Sequence, residues 1–215
     1  MAADEAMLES AERGIASLRF YTWSEPTLTL GYFQPAAVAL PGLPWVRRST
    51  GGDAIVHHRE LTYGLALPNA KEWKQSEPWT CRFHHLLRDV LAEAGIESRA
   101  VLCGEEQRLG ETLCFLHQTA GDLLIRGSKV AGSAQRKRHG ALLQHGSILL
   151  KRSEHAPMLP GINDLSGASL TPHSLAERLT AKFETHPGDW TEAERERTAA
   201  IRAETYANPD WNHKR

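Results

Sequence analysis

Residues 113–150 read LCFLHQTAGDLLIRGSKVAGSAQRKRHGALLQHGSILL, and this stretch decides the fold. Leu123, Leu124 and Ile125 are apolar and β-prone, and Arg126-Gly127 supplies a two-residue turn. Ser128 to Ala134 then returns as a second strand, which puts Lys129 just past the turn. Gly132, Ser133 and Ala134 leave no bulk beside that strand, so a ligand can lie close to the backbone. A basic turn is expected at Arg136, Lys137, Arg138 and His139. Another apolar strand, Ala141 to Leu150, follows it, broken by Gly146. A lysine among small residues suits a carboxylate, phosphate or carbonyl oxygen, and the nearby Cys114 suits thioester chemistry.

Outward from this hairpin, Ala2 to Gly14 reads as a helix, because Ala3, Met7, Leu8 and Ala11 share one face. Strands are expected at Leu18–Trp23, Thr27–Tyr32, Trp45–Arg48, Ala54–His57 and Leu61–Leu67. Pro35 to Pro44 forms a loop, and Asn69 to Pro78 a polar connection. Trp79 to Ala94 is the clearest helix. Phe83, Leu86, Leu87, Val90, Leu91 and Ala94 make its stripe, with Pro78 at its start and Gly95 past its end. Arg99–Leu102 reads as a strand, Cys103–Glu111 as an exposed loop and Lys151–Ser169 as loop-rich. Pro172–Phe183 and Thr191–Tyr206 read as helices. Strands with helices between and after them indicate an α+β fold, mixed or antiparallel sheets with packed helices.

The chain has 215 residues, 41% hydrophobic and 24% charged, with a net charge of -1. That length fits a single domain, 1–215, with a real core. The near-zero charge gives no field to gather nucleic acid or an anionic membrane. Apolar runs are too short to span a bilayer, and no secretion signal stands at the acidic N-terminus. Three irregularly spaced cysteines argue against a disulfide framework or structural zinc. A cytoplasmic protein is expected.

Four blocks, in order, carry a resemblance. They are Tyr21-Thr-Trp23 through Leu30-Gly31-Tyr32-Phe33-Gln34; Arg47-Arg48-Ser-Thr50-Gly51-Gly52-Asp53-Ala54-Ile-Val-His57 with Glu60-Leu-Thr62-Tyr63; Gly127 to Gln135 with Leu143 to Leu149; and Tyr206 through Trp211-Asn212-His-Lys214-Arg215. The chain resembles the lipoate–protein ligase and octanoyltransferase family over nearly its whole length. The resemblance implies the biotin/lipoate ligase-like catalytic fold, without the accessory domain common in single-chain ligases. The family usually has a strand before the first helix; here that strand is missing or the start site is misplaced. Biotin ligases share the fold, but no Gly-Arg-Gly-Arg nucleotide loop is present.

Several site roles follow from the resemblance, each beside a plainer reading of the residue. Lys129 maps onto the family's essential lysine, although on pattern alone it is a surface lysine on a hairpin. Cys114, otherwise a small buried hydrophobe, is placed like the cysteine of octanoyltransferases that use an acyl-thioester intermediate. Its thiolate needs nearby positive charge, for which Lys129 is the candidate. Arg48, Thr50, Gly51 and Gly52 form an acyl-flanking loop, otherwise a tight turn between surface arginines. Gly132, Ser133 and Ala134 line the ligand, and His145-Gly146 matches a family pair. His57 is placed in the acyl or acceptor site. His57-His58 with Glu60 lacks a metal-binding spacing, so no metal is expected. Asp53 disfavours nucleotide phosphate, and Asp122 stands without the Arg-Asn pair of the ligases. The Arg136–Arg138 cluster is either a solvated turn or a patch that steers acidic partners.

The implied activity moves an octanoyl or lipoyl group from acyl carrier protein to a lysine of a lipoyl domain or of glycine-cleavage H protein. No cofactor is expected. The alternatives are an ATP- and Mg-dependent lipoate ligase and a non-catalytic binder of lipoyl domains.

Overall fold

The computed structural model describes residues 1–68 and 78–214. The polar connection expected at Asn69–Pro78 falls almost wholly outside these residues, as does Arg215. The chain opens with α1 (Ala2–Glu12), β1 (Ser17–Tyr21), β2 (Thr27–Leu30), β3 (Trp45–Arg47), β4 (Ile55–His57) and β5 (Glu60–Leu67). Then come α2 (Trp79–Glu93), β6 (Arg99–Ala100), β7 (Gln107–Arg108), β8 (His117–Gln118), β9 (Leu123–Ile125), β10 (Ser128–Arg138) and β11 (Ala141–Leu149). Helices α3 (Ile162–Ser166), α4 (Pro172–Thr180), α5 (Glu192–Ile201) and α6 (Pro209–Asn212) follow. The architecture is the expected α+β one.

The main sheet is antiparallel, in the order β1-β5-β11-β10-β9-β6. A smaller sheet orders β3-β2-β4, with β2 parallel to β3 and antiparallel to β4. Alternation along β5 divides its neighbours. Leu61, Tyr63 and Leu65 face a core made with Phe83, Leu87, Val90 and Leu91 of α2 and Leu175 and Leu179 of α4. Ala66 turns the other way, with Leu143 of β11, onto Met7, Leu8 and Ala11 of α1. Each fully buried side chain of this size contributes roughly 1.5–3 kcal/mol. A third cluster joins the small sheet to Leu113, Phe115 and Leu149, so the segment carrying Cys114 is fastened between the two sheets. No helix of the described residues is long and apolar enough to cross a membrane.

Two expectations for the central stretch need correction. The basic run is not a turn: Arg136, Lys137 and Arg138 continue β10, and the reversal is His139-Gly140, both at positive φ. Arg136 and Arg138 meet Glu5, Glu9 and Glu12 of α1, so side chains expected in solvent are tied to an acidic helix face. Gly146 does not break β11, which runs through it. A Cβ there would stand 2.6 Å from the Gly132 carbonyl oxygen and from the Tyr63 ring, so glycine lets three strands crowd together. Elsewhere the expected elements are trimmed. The last long helix passes at Ile201 into a π-helical turn, Arg202–Tyr206, and the exposed loop at 103–111 holds β7.

Asp4 docks α1 on the sheet from a buried position. It meets His145 Nδ1 at 3.3 Å, Arg19 at 3.1 Å and the Met1 amino group at 3.8 Å. Burial pushes this carboxyl up, but the Met1 ammonium, His145 and Arg19 together outweigh it and hold it well below the usual range. The folded protein therefore resists protonation at Asp4 more than the unfolded chain does. The resulting stability is complete above the unfolded value near 4 and is lost as pH falls through the folded one. Melting temperatures measured from about pH 5 to pH 2 should fall more steeply for the wild-type protein than for Asp4→Asn.

Candidate active site

Strand β2 and β3 deliver the first wall. Arg47 and Arg48 are both buried, not surface residues flanking a turn. The Arg47 guanidinium donates to the Asn212 carbonyl at 2.8 and 3.0 Å, and also to the carbonyls of Gly31, Tyr32 and Gln34. Trp211 Nε1 returns a bond to the Arg47 carbonyl at 2.8 Å, so the closing block braces this wall. Arg48 donates to the Thr29 carbonyl and hydroxyl and to the Gly51 and Asp53 carbonyls. Gly31 packs against the loop's backbone: a Cβ there would lie 1.7 Å from the Gly52 carbonyl oxygen.

The second wall is a 3-10 turn, Cys114–Leu116, running into β8. Its Cys114 N–H donates to the Ala54 carbonyl at 2.8 Å, and Leu113 bridges Ala54, which stitches this wall to the glycine loop. Asp53 adds a side-chain tie, with Oδ2 2.6 Å from His117 Nδ1. His117 Nε2 donates to the Gly110 carbonyl at 2.7 Å.

The hairpin β9–β10 supplies Lys129, as its turn chemistry implies, with Arg126 and Gly127 both at positive φ. A bulge at Val130 follows Lys129 in the pairing with β9. Lys129 is not a surface lysine; it is 5% exposed. Its ammonium lies 2.7 Å from Asp122 Oδ2, 2.9 Å from the His117 carbonyl and 3.3 Å from the Cys114 carbonyl. The Cys114 sulfur is 3.8 Å away. An ammonium has three donors. Two are held firmly, and the third, shared between the Cys114 oxygen and sulfur over longer distances, is the one open to exchange.

These walls enclose a cavity of about 320 Å³. Cys114, Lys129, Arg48, Gly51, Gly52, His57, Gly132, Ser133, Ala134, His145 and Gly146 all border it. Of the residues expected in the site, only Thr50 stands behind the lining, where its hydroxyl bonds His145 Nε2 at 2.8 Å. Gly132 leaves the space Lys129 needs, since a Cβ there would come within 2.6 Å of the lysine Cε. The three histidines on the lining are each backed by a carboxylate: His57 by Glu60 at 2.7 Å, His117 by Asp53 and His145 by Asp4.

Sequence reading missed Asp122 as the partner of Lys129, it weighed Glu60 only as a metal ligand and not as the partner of His57, and it missed His117 and Thr29. Asp122 was within reach of inference, because the hairpin register folds it back over Lys129; the Asp53–His117 pair joins distant segments and left no local signal. That pair also corrects the reading of Asp53. Its carboxylate already faces an imidazole, so its charge alone is no argument against a nucleotide phosphate. His57 Nδ1 lies 2.7 Å from Glu60 Oε1. Among the described residues, one surface trio has the spacing for a metal, His58 with Glu154 and His155, and none of the three borders the cavity.

Residues 1–181 match the family model described as the lipoyl protein ligase A/B catalytic domain. The chain belongs to this family. It is 31% identical to an octanoyltransferase, LipM, of Kyrpidia tusciae, an alignment covering all of this chain and 94% of that relative. It is 30% identical to the LipM octanoyltransferase of Geobacillus kaustophilus, covering all of this chain and 93% of that one. Among solved structures, the lipoate protein ligase Ta0514 of T. acidophilum superposes with a TM-score of 0.78 at 21% identity, over 100% of this chain and 92% of that one. At that identity the superposition speaks for the fold alone. The lipoyl ligase A/B family match takes in the first three sequence blocks, and the fourth, from Tyr206, lies beyond it.

Proposed function

We propose that this protein is an octanoyltransferase of protein lipoylation, acting in the cytoplasm through a thioester on Cys114. The observation that carries this is the Cys114 sulfur, 3.8 Å from the Lys129 ammonium on the wall of a shared cavity. The LipM relatives give the activity its name.

In the first half-reaction the Cys114 thiolate attacks the octanoyl thioester of acyl carrier protein. A new C–S bond forms, the carrier's C–S bond breaks, and the carrier's sulfur takes up the proton that Cys114 gave up, leaving as its thiol. One thioester replaces another, so little free energy changes and no ATP is consumed. In the second half, the lysine amine of a lipoyl domain or of glycine-cleavage H protein attacks the acyl-cysteine. A C–N bond forms, the C–S bond breaks, and the proton the amine loses passes to the departing sulfur, so that Cys114 recovers its thiol. Each half passes through a tetrahedral oxyanion. Lys129 exchanges its longest bonds, those to Cys114, for that oxygen, while Asp122 and the His117 carbonyl keep the ammonium in place.

Incubation with octanoyl carrier protein and a lipoyl domain, with no ATP present, should give octanoylated lipoyl domain. Without the acceptor it should leave a hydroxylamine-sensitive adduct of octanoyl mass on the Cys114 peptide. Lipoate-dependent pyrophosphate release, with no transfer unless ATP is added, would overturn the proposal in favour of an ATP-dependent ligase.

A further inference from the structure

We propose that His58, Glu154 and His155 form a binding site for one divalent transition-metal ion of the zinc class. The site stands apart from the cavity and from the transfer chemistry. Strand alternation separates the two neighbouring histidines. His57 turns inward to Glu60, while His58 turns outward at the β4–β5 turn and meets the segment that leaves β11. One ligand atom from each of His58, Glu154 and His155 lies within 4.8 Å of the other two. His58 Nδ1 is 3.7 Å from Glu154 Oε2, and the His58 and His155 rings are 5.8 Å apart between centroids. Ligand atoms bound to one tetrahedral zinc stand about 3.4 Å from one another. Rotation of exposed side chains closes that difference without moving the backbone.

The backbones under the ligands are already pinned. Arg59, at φ 53°, tightens the β4–β5 turn, and its carbonyl accepts the Leu150 and Lys151 N–H groups at 3.1 Å. In a second turn the Ala156 N–H donates to the Ser153 carbonyl at 3.1 Å, and Ala156 and Leu159 are buried in the cluster that holds the small sheet. Ser153 Oγ, 3.0 Å from His58 Nδ1, accepts the His155 N–H at 3.1 Å, so one hydroxyl ties the His58 ring to the backbone of His155. The donor set names the ion. Two imidazoles and a carboxylate suit zinc and its d-block neighbours, whereas calcium and magnesium take oxygen ligands. Three protein ligands leave a further position for water. Glu154 and His155 are exposed, so an ion reaches them without opening the fold. One cation competes for the carboxylate: the half-exposed Arg59 guanidinium, 3.2 Å from Glu154 Oε2. A bound ion displaces it and clips the β4–β5 turn, flanked by His57 and Glu60, to the chain leaving β11.

Zinc titrated by calorimetry into the full-length protein, first stripped with a chelator, should bind at about one ion per chain. Excess zinc should raise the melting temperature by about 5 °C, and the same concentration of calcium should leave it unchanged. His58→Ala and His155→Ala should each weaken zinc binding by about a hundredfold or more and abolish the rise in melting temperature. Arg59→Gln, which removes the competing cation, should tighten binding about fivefold. Cobalt in place of zinc should give the visible absorption of a four-coordinate site, lost in His155→Ala. Failure of the wild-type protein to bind zinc would overturn the proposal. So would binding that survives in both histidine variants, or binding that disappears instead in Cys103→Ser or Cys114→Ala, which would place the ion on a thiol. A calcium response equal to that of zinc would overturn the assignment of the ion. Octanoyl transfer enters none of these measurements, so the thioester reading is judged separately by its adduct assay.

Discussion

Cys114→Ala should abolish octanoyl transfer, with a fall in kcat of roughly four orders of magnitude or more, as removal of a covalent nucleophile does elsewhere. The folded structure should hardly notice. Cys114 is half-buried at a cavity wall, and its structural bonds are made by its backbone N–H and carbonyl, which alanine keeps. Binding of acyl carrier protein should persist while the hydroxylamine-sensitive adduct disappears. Single-turnover transfer and thermal melting on the same preparation check both halves. A variant that still transfers octanoyl at a tenth of the wild-type rate would show that the acyl group never rests on this sulfur.

Lys129→Ala should be nearly as damaging to catalysis and far more so to stability. Loss of a directed oxyanion donor costs about 10²–10³ in kcat. Here the deletion also strands Asp122, buried and left, among the described residues, with the Thr119 N–H and hydroxyl as donors. Breaking a buried pair on one side costs about 3–5 kcal/mol. Adding Asp122→Asn should restore much of the melting temperature and none of the transfer activity. Recovery of activity in the double variant would mean that Lys129 serves only to hold Asp122.

Elements with their own start and stop signals were legible in the sequence. Pro78 and Gly95 bracket α2, and Arg126-Gly127 makes the turn that brings Lys129 into the cavity. The Cys114–Lys129 meeting followed from the family resemblance and a short connecting segment. What escaped was set by contacts between distant segments. Arg136 and Arg138 looked like solvent-facing turn residues because nothing near them shows that the acidic face of α1 lies over them. Gly146 looked like a strand breaker, because a sequence does not display the Tyr63 ring and the Gly132 carbonyl that crowd it. Arg47 and Arg48 looked exposed, since their partners are mostly backbone carbonyls, which leave no trace in side-chain pattern.

The longest strand of the sheet, β10, pairs on one side with β11 from Ala131 to Arg138. On its other side β9 leaves it at Ala131, and among the described residues no strand takes over from Gly132 to Arg138. From Gly132 to Gln135 this strand borders the cavity, where a ligand can lie against the backbone. Its far end is held by ion pairs, Arg136 and Arg138 meeting Glu5, Glu9 and Glu12 of α1. A basic run read from the sequence as either a solvated turn or a docking patch thus fastens the first helix to the longest strand.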